Sequence, residues 1–210
     1  MRFSKRNSNR TQSLCVVIVG TLVAACAWLL TPKYGPWVCH AIFGSISLAV
    51  AIRFGSIDLT FGWTKWTLIL GATLGLILAL VSWLSVPIAI RLIPSFGPDL
   101  NQLYATLRKP PGPIRAMPVL ALTVMAEELV WRGELVARLQ ERFAPTATVA
   151  IATISYSLPI VMSKSPLLIA VALCFGSLFT VQRLIFRSWL GPFVSHLVWT
   201  LLVFAVHPLR

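Results

Sequence analysis

The chain has 210 residues, of which 57% are hydrophobic and 11% charged, and its mean hydropathy is +0.83. This composition is more apolar than a soluble domain of the same length needs for one core, so it indicates a membrane protein. The formal net charge of +12 does not indicate nucleic-acid binding, because the basic residues lie between apolar segments, where membrane orientation explains them.

Residues 1–13 form a basic N-terminal stretch, which contains Arg2, Lys5, Arg6 and Arg10. Basic residues beside a span favour the cytoplasmic side, so we expect a cytoplasmic N-terminus. The first apolar run includes Val23-Ala24-Ala25-Cys26, which is also typical of a lipoprotein cleavage site. The run continues to Leu30, however, and this favours an uncleaved span over a lipoprotein.

Apolar segments recur along the chain, at residues 14–30, 38–52, 66–90, 118–131, 146–163, 166–181 and 189–206. Helices of roughly 17 to 25 apolar residues span a bilayer, and the alternating segments of a β-barrel are not seen. The sequence therefore predicts an all-α, polytopic integral membrane protein, with about seven transmembrane helices in one bundle. Residues 14–92 form its N-terminal transmembrane helices, in which Gly71 and Gly75 are spaced for close approach of a neighbouring helix.

The connection at residues 93–117 is rich in proline and separates these helices from the rest of the chain. Proline interrupts helices, so one continuous helix is not expected, although Leu103, Tyr104 and Leu107 permit a short amphipathic element. The cysteines lie in or beside apolar runs and are predicted to pack in the core, at Cys15, Cys26, Cys39 and Cys174.

Glu127 and Glu128 follow the apolar run that ends at Ala126, and ionisable residues at such depth usually have a partner or a task. On an α-helix Glu128 and Arg132 share a face and can form an ion pair. Glu127 lies about 140° around the helix from Arg132, so it is left as a candidate general base. The alternative is an ion network of both glutamates with Arg132 and Arg138 that holds helices together.

His196 and Thr200 are four residues apart in the last segment and form a second polar patch. An imidazole or hydroxyl there could donate a hydrogen bond to the oxyanion that forms when a peptide carbonyl is attacked. The alternative is structural: the histidine is bonded across helices and the hydroxyl to the backbone of its own helix. His40 and His207 lie near span ends and are predicted to be interfacial. No cofactor is expected, and zinc is disfavoured because no His-Glu-x-x-His helix is present.

The motif Glu127-Glu128-Leu-Val-Trp-Arg132-Gly133, followed by His196 with a polar residue four positions later, resembles the CPBP family, which includes the CAAX prenyl endopeptidases. The resemblance covers roughly residues 118–206, so residues 118–210 are expected to form a CPBP-like catalytic core. It implies an intramembrane, glutamic-type endopeptidase in which the first glutamate activates water, the arginine holds the second, and histidine completes the site. These roles fall on Glu127, Arg132, Glu128 and His196, with Thr200 in place of the family's final asparagine.

One departure concerns the family's Phe-x-x-x-His motif, for which this chain has Tyr156 and Ile160. The helper histidine is missing, and Ser155, Tyr156 or Ser157 could supply only a hydrogen bond. Two interpretations follow. The chain is an active protease of a bacterial inner membrane that removes a C-terminal segment from a membrane-anchored or sorting-tail protein, or it is an inactive scaffold that works as a bacteriocin-immunity or assembly factor.

Overall fold

The computed structural model describes residues 2–55 and 64–209, with side chains from residue 11 onward. All regular structure in these ranges is helical, which confirms the predicted all-α fold. The α-helices of the described ranges are α1 (Arg2–Tyr34), α2 (Pro36–Phe54), α3 (Lys65–Leu92), α4 (Phe96–Leu107), α5 (Met117–Glu127), α6 (Val136–Leu139, four residues), α7 (Pro145–Ser157), α8 (Pro166–Phe186) and α9 (Leu190–Thr200).

Five stretches of helix within the described ranges are long and apolar enough to cross a membrane, at Thr11–Tyr34, Pro36–Phe54, Lys65–Leu92, Pro145–Ser163 and Pro166–Phe186. A shorter apolar helix runs over Leu190–Val206. Large apolar side chains on α3 are exposed, among them Leu76, Leu84 and Ile88, as expected of a surface that faces lipid. The predicted polytopic bundle is confirmed.

The spacing argument for the two glutamates assumes a regular α-helix, but the helix that carries them is not α-helical throughout. Between α5 and α6 the backbone forms a π-helix over Glu128–Leu135, and a second π-helix, Leu201–Val206, extends α9. A π-turn holds one extra residue per hydrogen bond and redirects the side chains that follow it. The displaced carbonyl oxygen of Arg132 accepts a hydrogen bond from Arg183 Nε at 3.0 Å, which supports the widened turn from α8.

The proline-rich connection contains α4, an amphipathic helix of 12 residues. Its buried face consists of Phe96, Leu100, Tyr104 and Leu107. Tyr104 Oη donates a hydrogen bond to the carbonyl oxygen of Val203 at 2.9 Å, so α4 is attached to the end of the last helix.

Helix α9 lies directly against α3 at the two predicted glycines. A Cβ atom added at Gly71 would lie 2.9 Å from the carbonyl oxygen of Gly191, and one at Gly75 would lie 2.6 Å from that of Ser195. The predicted close approach is confirmed, and the neighbour is the helix that carries His196.

The predicted core packing of the cysteines is right for Cys39 and wrong for Cys15, Cys26 and Cys174, which are exposed. Since their helices are lined with exposed apolar residues, a weakly polar thiol is tolerated there. The side chains of Arg2, Lys5, Arg6 and Arg10 lie outside the described residues, and the orientation of the N-terminus stays a prediction.

Candidate active site

Glu128 and Arg132 form the ion pair that their spacing predicts. Arg132 Nη1 lies 3.3 Å from Glu128 Oε1, and the two side chains are 1% and 0% exposed. Arg132 Nη2 also donates to the carbonyl oxygen of Gly176 at 3.2 Å, and the guanidinium lies 4.2 Å from the centre of the Tyr156 ring. The pair is therefore closed off by α7 and α8, which supply an acceptor and an aromatic face.

His196 lies between the two carboxylates. Its Nδ1 is 2.8 Å from Glu128 Oε1, and its Nε2 is 3.9 Å from Glu127 Oε2. The ring is stacked on Phe179 with centroids 4.5 Å apart. In the tautomer that carries a proton on Nδ1, the ring donates to Glu128 and presents Nε2 as an acceptor on the side of Glu127. The sequence predicts His196 in the site but not its contact with Glu128.

Glu127 is the more accessible of the two glutamates, and its side chain is 16% exposed. Its Oε2 accepts a hydrogen bond from Tyr156 Oη at 3.1 Å. Of the three residues that could supply a bond from α7, Tyr156 does so, whereas Ser157 Oγ donates to the carbonyl oxygen of Thr153 in its own helix. Tyr156 was not among the predicted catalytic residues, and the signal for it was the family's aromatic position.

A cavity of about 140 Å³ lies beside Glu127, and Tyr156, His196 and Thr200 also line it. This volume accommodates several water molecules. Thr200 is 3% exposed, and its hydroxyl has no hydrogen-bond partner in the described part of the chain. Ile160 also lines the cavity, so the side chain at the position where the resemblance predicts a histidine is apolar and faces the cavity.

His40 also lines this cavity, and its predicted interfacial position stays a prediction. The side chain reaches the cavity because α2 packs on α5, a contact between helices that a position near a span end does not indicate. His207 is exposed beside Trp83, with ring centroids 5.3 Å apart, and its interfacial position also stays a prediction.

No group of three or more His, Cys, Asp and Glu side chains that could hold a metal ion occurs among the described residues. The arrangement around His196 gives the reason. Glu128 approaches Nδ1 and Glu127 faces Nε2, so the two carboxylates lie on different sides of the ring and do not converge with it on one point. A catalytic zinc usually takes three protein ligands, and this donor set does not fit one.

The comparisons with known proteins bear on the same part of the chain. Residues 110–202 match the model of a protease family described as type II CAAX prenyl endopeptidase Rce1-like. The matched segment contains Glu127, Glu128, Arg132, His196 and Thr200, whereas His40 lies outside it. No curated protein and no solved structure is significantly similar to the chain.

Proposed function

Since residues 110–202 are Rce1-like, which agrees with the resemblance to the CPBP proteases, we propose that the protein is an intramembrane endopeptidase whose general base is Glu127. The observation that carries the proposal is the position of Glu127. Its carboxylate faces His196 Nε2 across 3.9 Å at the wall of a cavity large enough for water.

In the proposed reaction, a water molecule bound by Glu127 and His196 Nε2 attacks the peptide carbonyl carbon. Its proton passes to Glu127 as the new carbon–oxygen bond forms, and Thr200 Oγ1–H donates to the oxyanion. The carbon–nitrogen bond then breaks, and Glu127 gives the proton to the leaving amine. Each turnover consumes one water and returns Glu127 to its starting state.

The other polar residues position this pair. Glu128, held by Arg132, accepts from His196 Nδ1 and thereby keeps an unprotonated Nε2 towards the cavity. Tyr156 Oη donates to Glu127 Oε2 and fixes the carboxylate. We propose a reaction without metal, because the donor set around His196 does not converge.

We further propose that the substrate is a membrane-anchored or sorting-tail protein, from which a C-terminal segment is removed. Many cavity-lining residues are apolar, among them Trp28, Leu120, Ile160 and Phe175, as suits a peptide that enters from the bilayer. The proposed location is a bacterial inner membrane with the N-terminus in the cytoplasm.

A second candidate function is supported by one observation. Ile160 occupies the cavity wall where the family carries a helper histidine, which favours an inactive scaffold that acts in immunity or assembly. The retained carboxylate of Glu127, partly desolvated and directed at an imidazole, favours catalysis.

A cleavage assay in proteoliposomes separates the two. The probe is a prenylated CAAX peptide with a fluorophore and a quencher on either side of the expected cleavage site. Glu127→Gln and His196→Ala should lower kcat by roughly 10² to 10⁴, the contribution of a general base. Glu141→Gln, a change of the same kind on an exposed glutamate, should not.

A chelator should leave hydrolysis unchanged. Hydrolysis that persists in Glu127→Gln would contradict the assignment of the base, and loss with a chelator followed by recovery with zinc would contradict the metal-free reaction. No hydrolysis by the wild-type protein would favour the scaffold.

A further inference from the structure

His40 on α2 belongs to the same cavity as the proposed active site, although it precedes the family-matched segment by many residues. Its Nδ1 is buried and has no hydrogen-bond partner among the residues that the structure describes. A buried nitrogen of this kind costs free energy unless a ligand or water pairs with it. The imidazole therefore needs a partner that the described side chains do not supply.

Helix α2 holds His40 close to the base because two contacts join it to α5. Thr123 Oγ1 donates to the carbonyl oxygen of His40 at 3.4 Å. One turn further along α2, a Cβ at Gly44 would lie 2.6 Å from Leu122 Cγ. The backbone of α2 is therefore in direct contact with a side chain of α5. Thr123 precedes Glu127 by one turn of helix, about 6 Å along the axis. His40 is thus placed at the cavity wall about one turn from the carboxylate.

Three other polar groups of the cavity are already engaged or assigned. Tyr156 Oη donates to Glu127, and His196 Nδ1 is paired with Glu128. Thr200 Oγ1 is the proposed oxyanion donor. The ring of Trp28 meets that of His40 edge-on, with centroids 5.0 Å apart, which fixes the plane of the imidazole without pairing its Nδ1.

We propose that His40 binds the substrate, through a hydrogen bond from Nδ1 to the polypeptide backbone beside the scissile bond; this rests on the proposed endopeptidase function. A peptide that enters an apolar cavity loses water from every amide and must find partners in the protein. A neutral imidazole can meet either backbone group, because it can donate or accept. The chain thus presents a second imidazole to its cavity from α2, while the wall at Ile160 is apolar.

The test measures binding apart from catalysis. Glu127→Gln protein in proteoliposomes is titrated with a fluorescent prenylated CAAX peptide, alone and combined with His40→Phe, His40→Asn or His40→Gln. Loss of one hydrogen bond in His40→Phe should raise Kd about two- to tenfold. His40→Asn places an amide nitrogen where Nδ1 stands and should keep Kd within about twofold, whereas His40→Gln, whose amide lies further out, should behave like His40→Phe.

His207→Phe is the matched control, because His207 also meets a tryptophan edge-on but is exposed. It should leave Kd unchanged. An unchanged Kd in His40→Phe, an equal loss in all three variants, or no binding of the peptide at all would overturn the inference. Failure of the proposed function appears separately, as hydrolysis that survives Glu127→Gln while the pattern of Kd values stands.

Discussion

Glu128→Gln tests whether the buried ion pair is a structural requirement of the fold. The substitution keeps the shape of the side chain and an acceptor oxygen but removes the charge that faces Arg132. The guanidinium is 1% exposed and cannot turn to water. Its remaining partners include the carbonyl oxygen of Gly176 and the rings of Tyr156 and Phe179.

The expected loss follows from this burial. Removing one member of a buried pair leaves an uncompensated charge and costs about 3–5 kcal/mol of the free energy of unfolding. The chain contains a matched exposed pair, Arg138 with Glu141, in which Nη1 and Oε1 are 2.9 Å apart and the side chains are 24% and 36% exposed. Glu141→Gln should cost about 0–1 kcal/mol, because solvent screens the pair.

The measurement is the unfolding free energy in mixed micelles, followed by tryptophan fluorescence as denaturing detergent is added. Replacing both members, in Glu128→Gln with Arg132→Met, should recover a large part of the loss, since no buried charge remains unpaired. If Glu128→Gln and Glu141→Gln differ by less than about 1 kcal/mol, the reasoning from burial is refuted.

Two further substitutions test the geometry of the site. Tyr156→Phe removes the hydroxyl that donates to Glu127 but keeps the ring over Arg132, so kcat in the peptide assay should fall about tenfold with little change in melting temperature; an unchanged kcat would show that the hydroxyl does not orient the base. Gly75→Ala should lower the unfolding free energy by about 1–3 kcal/mol and slow hydrolysis, because its Cβ would press on the backbone of α9. Gly97→Ala, whose Cβ would meet its nearest neighbour at 3.5 Å, is the control, and equal losses in both variants would contradict the packing argument.

The parts of the site that were predictable depend on local spacing. Glu128 and Arg132 are four residues apart, so their pairing follows from helix geometry almost regardless of what surrounds them. Gly71 and Gly75 likewise predict a close neighbour, although not which helix it is. The apolar segments predict the helical bundle because a bilayer leaves few alternatives.

The contacts that the sequence analysis did not predict join residues far apart in the chain. Tyr156 and Glu127 are 29 residues apart, and His196 and Glu128 are 68 apart. Such pairs depend on which helix faces which, and an apolar helix in lipid has little periodicity to indicate its inward face. The π-helix at Glu128–Leu135 was missed because the spacing argument assumes 3.6 residues per turn throughout.

The contact of α3 with α9 has a consequence for the modularity of the chain. The segment that carries the protease motif, residues 110–202, contains the carboxylates and His196 but not α2 and α3, which also pack against the helices that carry them. Gly75 packs against the backbone of α9 beside His196, and Gly44 packs against α5 shortly before Glu127. The N-terminal helices thus help to position the residues of the motif. A chimera that joins the motif segment to the first helices of a relative would keep the reacting groups but lose the helix packing that positions them.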